Sequence, residues 1–177
     1  MGDTDGTLIA YSVQGDGTLL SRILENSEKC AFKDLTVGSF LTDVDHDVVL
    51  ALCSHKKGGV RHNSADIYSL EQDEGLTKYR VVDIFGAIDG HHINVSDINF
   101  DGQPDIIITS QGKIGERSTY WHEGTENWWH WKQRSIVNNV KGAHFSLSID
   151  IEPRDGYPDI VVTSDESPLL IKKNKIG

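Results

Sequence analysis

At 177 residues the chain is long enough for one domain with a real core, and a composition of 37% hydrophobic and 25% charged residues excludes a disordered or fibrous polypeptide. Its 17 basic against 27 acidic residues leave a net charge of −10, which argues against nucleic acid and anionic membrane surfaces and is compatible with cations or neutral sugars. No apolar run is long enough to span a membrane, and Met1–Asp5 has neither the basic nor the apolar region of a signal peptide, as an excised fragment behind a start Met would also read.

In chain order, alternating apolar residues predict strands over Thr7–Val13 and Thr18–Leu24, joined by the turn Gln14-Gly15-Asp16-Gly17. Cys30 precedes the next strand and Cys53 ends its neighbour. A cross-strand disulfide is one reading of that pair, and two buried free thiols is the plainer expectation. The stretch Ser54–His62 carries a local basic patch and Gly58-Gly59. It lacks the context of a phosphate loop and is expected to be a mobile inter-strand loop at a rim.

Three segments then align. Residues 91–110 (HHINVSDINFDGQPDIIITS) are the clearest copy, 143–164 the second, and 33–54 a worn third. Each is an alternating strand, an acidic turn, an Asp, and a second strand rich in Val and Ile. Asp47, Asp105 and Asp159 are equivalent and lie about 58 and about 54 residues apart, near the size of one four-stranded propeller blade. The continuous apolar runs Ile106–Ile108 and Ile160–Val162 predict strands buried on both faces. Third strands are expected at Ala65–Leu70, Ser118–His122 and Leu169–Lys172, and fourth strands at Tyr79–Ile84 and Trp131–Val137. No amphipathic helix is predicted.

The loop Asp97-x-Asn99-x-Asp101-Gly102-x-x-Asp105 between apolar strands, followed by Tyr120-Trp121 on the third strand, resembles the FG-GAP/VCBS repeat of integrin-like and lectin-like seven-bladed β-propellers. The likeness covers nearly the whole chain, strongest in the middle repeat. In the first repeat Ser39, Leu41 and Val44 stand where Asp97, Asn99 and Gly102 stand. The fold class expected is therefore all-β, made of four-stranded antiparallel propeller blades. The segments are a partial blade over 1–30, blades over 31–86 and 87–140, and a partial blade over 141–177. That is about three blades' worth. A full seven-bladed ring would need roughly 400 residues at this period. Three arrangements are open: a piece of a longer protein, one of several chains that share a six- or seven-bladed ring, or head-to-tail self-association that closes a six-bladed ring from two copies, a half blade at each end completing its partner.

The oxygen side chains Asp97, Asn99, Asp101 and Asp105 recur at alternate positions of a turn, and Gly102 permits its bend. Hard oxygen donors in that number suit calcium. An EF-hand is excluded, because its bidentate Glu would fall on Ile108 inside a strand. The last repeat offers Asp150, Glu152, Asp155 and Asp159, with one extra residue before Asp155. The first retains Asp43 and Asp47, with Asp45 nearby, and no tight site is expected there. The alternative for every loop is an Asx-turn, in which carboxylates cap backbone N–H groups without metal.

All four tryptophans lie between Tyr120 and Trp131. Trp121, Trp128, Trp129 and His130 are candidate ligand contacts, since aromatic faces flanked by polar groups stack on sugars. Packing between blades is the competing reading. His91, His92 and His144 open equivalent strands and could converge near a channel mouth as a base or metal site. The function expected is a calcium-stabilised, non-catalytic module that recognises a glycan or protein partner. A carbohydrate-active lyase or dehydratase using the three histidines, and a purely structural arc, are the alternatives. Bound calcium would favour a secreted setting.

Overall fold

The computed structural model describes residues 6–27, 30–38, 48–57, 60–71, 75–84, 89–111, 118–125, 131–137, 143–151, 155–165 and 170–172. Within them the fold is all-β, with thirteen strands and no helix. The strands form four small antiparallel sheets in chain order and close no barrel among the described residues.

The first sheet is the hairpin β1 (Gly6–Val13) and β2 (Leu19–Ser27). Its turn closes with Gly17 N–H donating to Gln14 O at 2.9 Å, and Gly17 sits at φ 84, which a side chain would resist. The second sheet is a meander of β3 (Ala31–Gly38), β4 (Val48–Lys57), β5 (Val60–Glu71) and β6 (Gly75–Ile84). The third repeats that plan with β7 (Asp89–Ser96), β8 (Asp105–Gln111), β9 (Ser118–Glu123) and β10 (Lys132–Val137). The fourth holds β11 (Ser146–Ile149), β12 (Asp159–Val162) and β13 (Leu170–Lys172).

Each sheet packs on the next. Leu8 of the hairpin is buried with Ala51 and Tyr68 of the second sheet, and Leu24 and Phe32 close around them. β3, β4 and β5 lie against β7. Between the third and fourth sheets Ile98 and Ile107 are buried with Ala143, Ile160 and Val162. The continuous apolar run of β8 is buried on both faces, with Ile106, Ile107 and Ile108 each at 0% exposure, because a sheet covers each side of it. In β12 Asp159, Ile160 and Val162 are buried, while Val161 is half-buried on the side that faces away from the third sheet.

Two expectations need correction. Cys30 and Cys53 are joined in a disulfide, with Cα atoms 5.5 Å apart, so the free thiols are not found. The chain entering β3 runs antiparallel beside β4, and Ala31 pairs with Ser54, which brings the two sulfurs within bonding reach. The basic stretch after Cys53 is not an open loop. β4 continues to Lys57 and β5 starts at Val60, with His55 opposite His62 and Lys56 opposite Arg61. Cross-strand pairing satisfies those backbone groups, leaving only Gly58 and Gly59, outside the described residues, to connect the strands.

Candidate functional site

The acidic loops of the third and fourth sheets are built to one plan. In the first loop Asp97 Oδ2 accepts from Gly102 N–H at 2.9 Å, and in the second Asp150 Oδ2 accepts from Gly156 N–H at 3.1 Å. Asp101 Oδ1 accepts from Gln103 N–H at 2.8 Å, and Asp155 Oδ1 from Tyr157 N–H at 3.0 Å. Asp105 Oδ2 accepts from Ile98 N–H at 2.8 Å, and Asp159 Oδ2 from Ile151 N–H at 3.2 Å. Gly102 and Gly156 both lie in the left-handed region, at φ 83 and 87. The extra residue of the second loop falls between Ile151 and Asp155 and leaves these bonds in place.

Asp105 is the buried anchor of its loop. Its second oxygen accepts from Gly124 N–H at 2.7 Å, across from the end of β9. Burial pushes its carboxyl up to about 6, while the N–H groups of Gly124 and Ile98 pull the other way. A side chain at Gly124 would run into the Pro104 carbonyl oxygen, so only glycine lets β9 approach this closely. Sequence reading passed over Gly124; its position directly after the third strand was the available signal.

The oxygen side chains expected to hold metal fall into two groups. In the first loop Asp101 N–H reaches both Asp97 Oδ1 and Asn99 Oδ1 at 3.2 Å, and Asn99 Nδ2 donates to Asp101 Oδ2 at 2.8 Å. Its oxygens are therefore engaged within the loop, as an Asx-turn requires. In the second loop Asp150 Oδ1 is buried with no hydrogen-bond partner. A buried carboxylate oxygen without a donor is costly unless a cation or water meets it. The donors are hard oxygens throughout and fit calcium chemically. Among the described residues no three His, Cys, Asp or Glu side chains converge as a metal site. Glu152 lies outside the described residues, as do Asp43, Asp45, Asp47, Ser39, Leu41 and Val44.

The two loops meet at their tips through aromatics. Phe100 and Tyr157 pack edge to face with centroids 5.1 Å apart, and they remain 56% and 36% exposed. Phe100 holds φ 60, a region that a bulky residue seldom adopts. Neither residue stands out in the sequence, because the contact joins two repeats.

Trp121 is placed elsewhere. It packs against the core between the third and fourth sheets, and the Arg134 guanidinium lies over its ring at 5.4 Å. Arg134 is held there by Glu123, at 2.6 Å. Trp128, Trp129 and His130 lie outside the described residues. His122, on the same strand as Trp121, is 2% exposed, and its Nε2 has no partner.

Of the three histidines, His92 and His144 have different partners. His92 Nδ1 lies 2.6 Å from Asp34 Oδ2, and its Nε2 lies 3.0 Å from the Ser146 carbonyl oxygen. Asp34 Oδ2 also accepts from Ile93 N–H at 3.0 Å. His92 thereby ties β3, β7 and β11 together, with Phe145 against its ring. Both its nitrogens are occupied, which leaves neither facing a substrate as a base. His144 pairs instead with Asp165, at 2.8 Å. His91 is on β7, but its side chain is outside the description. No family model, curated protein or solved structure matches this chain.

Proposed function

We propose that this chain is a run of FG-GAP/VCBS-type propeller blades acting as a calcium-stabilised, non-catalytic recognition module for a glycan. The observation that carries the reading is the acidic loop built twice to one hydrogen-bond plan on successive sheets, with Phe100 and Tyr157 meeting at the surface between the copies. The four-stranded meanders laid one against the next in chain order support the blade assignment. Asp97, Asn99, Asp101 and Asp105 would hold one calcium ion, and Asp150, Glu152, Asp155 and Asp159 a second. The unpartnered Asp150 oxygen supports the second site in particular.

The ligand face includes the Phe100–Tyr157 pair, flanked by the polar groups Asn99, Asp101 and Asp155. A sugar's C–H face stacks on exposed rings while its hydroxyls bond to such groups. Trp128, Trp129 and His130 are the further contacts proposed from the segment before β10. Trp121 is left out, because Arg134 and the inter-sheet core already cover it.

A glycan array run with millimolar calcium and again with chelator tests the proposal. Calcium-dependent binding to a defined sugar is expected, and Tyr157→Ala should weaken it by roughly tenfold or more, as losing a stacking contact of 1.4 kcal/mol would. A blank array from folded, calcium-loaded protein overturns the glycan reading.

A further inference from the structure

The junction between the third and fourth sheets holds a polar layer beside its apolar one. Ile107 on β8 and Trp121 on β9 are directly opposed and pack toward the fourth sheet. Two residues away along the same strands, Thr109 and Thr119 are directly opposed in turn, so strand alternation turns them to the same side. His92 on β7 is the other cross-strand partner of Thr109, and its Nε2 lies 3.0 Å from the Ser146 carbonyl oxygen across the junction. Ser146 faces back toward the third sheet. Ser148, two residues on, donates from Oγ to Ser96 Oγ at 2.9 Å, while Leu147 between them is exposed. The row His92–Thr109–Thr119 of one sheet is thus set against Ser146 and its partner Val162 of the other.

Thr109 and Thr119 are 0% exposed and Ser146 is 3% exposed. Among the described residues none of these three hydroxyls meets a donor or acceptor. A buried hydroxyl without a partner is costly, and valine, with the shape of threonine, would fill either position without that cost. Internal water is what meets such groups in folded proteins. The spacing suits one molecule. Opposed side chains of an antiparallel pair start about 5 Å apart at Cβ, and a water making two bonds of about 2.8 Å spans that gap.

We infer that one buried water bridges Thr109 Oγ1 and Thr119 Oγ1 and bonds across the junction to Ser146 Oγ. Each hydroxyl can donate or accept as the water requires, and about three bonds is the usual number for an internal water. Its bonds are directional, whereas burial of Ile107 against Ile160 and Val162 is not. Beside the His92 contact, the water therefore fixes the level at which the fourth sheet sits on the third.

The test counts long-lived internal waters in the full 177-residue chain by oxygen-17 relaxation dispersion, for wild type and for Thr109→Val with Thr119→Val. Circular dichroism and urea unfolding accompany each protein. The double variant is expected to lose one long-lived water and to unfold at lower urea, although it is the more apolar chain. A folded double variant that keeps the wild-type count overturns the inference, and a higher urea midpoint with that same count means that the hydroxyls are dry. If the double variant does not fold, Thr109→Val and Thr119→Val are counted singly under the same rule, because either change leaves the water one bond short.

Discussion

Gly124 and Asp105 show how one contact can decide a loop. The Gly124 N–H reaches Asp105 only because no Cβ stands between Gly124 and the Pro104 carbonyl. His122, two residues earlier, carries the opposite kind of cost. Burial lowers its pKa to about 4 from the ordinary 6.5, so the folded state holds it neutral while the unfolded chain protonates it below pH 6.5. Its contribution to stability is therefore complete above pH 6.5 and is lost as pH falls from there to about 4. The shift corresponds to roughly 3 kcal/mol at the acid end of that window. His122→Leu removes the titrating group and keeps an apolar side chain in the site. Melting followed from pH 7 to pH 4.5 should show a smaller acid loss for His122→Leu than for wild type. Parallel acid profiles would mean that His122 is not the group responsible.

The elements divide into those that the sequence alone revealed and those it hid. The hairpin β1–β2 was legible because Gln14-Gly15-Asp16-Gly17 specifies a tight turn between alternating strands. β8 was legible because three consecutive isoleucines need cover on both sides. The extension of β4 and β5 through His55 and His62 was hidden, since charged residues on a protruding hairpin look like loop composition. The meeting of Phe100 with Tyr157, and of His92 with Asp34, was hidden for a different reason. Each joins residues from different sheets, and periodicity within one strand carries no information about such contacts. The Cys30–Cys53 disulfide was weighed from sequence but decided only by the register of β3 against β4. It closes a loop with a sequence separation of 23, and chain entropy alone assigns such a loop about 3 kcal/mol. The double change Cys30→Ser and Cys53→Ser should lower stability by that order under non-reducing conditions, measured by urea unfolding. Wild type under strong reductant should approach the variant; if it does not, the bridge is absent from the folded protein.

At the scale of the whole molecule, the acidic loops set the balance between fold and charge. By sequence, residues 97–105 and 150–159 hold Asp97, Asp101, Asp105, Asp150, Glu152, Asp155 and Asp159 against the single cation Arg154. Phe100 and Tyr157 bring the tips of those loops together, so like charges are concentrated at one junction of a chain already at −10. Simple salt would relieve that repulsion by screening, whereas a site-bound calcium ion would also meet the orphaned Asp150 oxygen. The two effects separate in a melting experiment. Calcium at a hundred times its dissociation constant adds about 2.7 kcal/mol, or on the order of 5–10 °C for a chain of this size. Magnesium, smaller and less willing to shed water, should give much less. Asp150→Ala should remove part of the calcium shift while leaving the response to sodium chloride unchanged. A calcium shift no larger than sodium chloride produces at matched ionic strength would reduce the loops to capped turns, and the proposed recognition face would then have to stand on its aromatic pair alone.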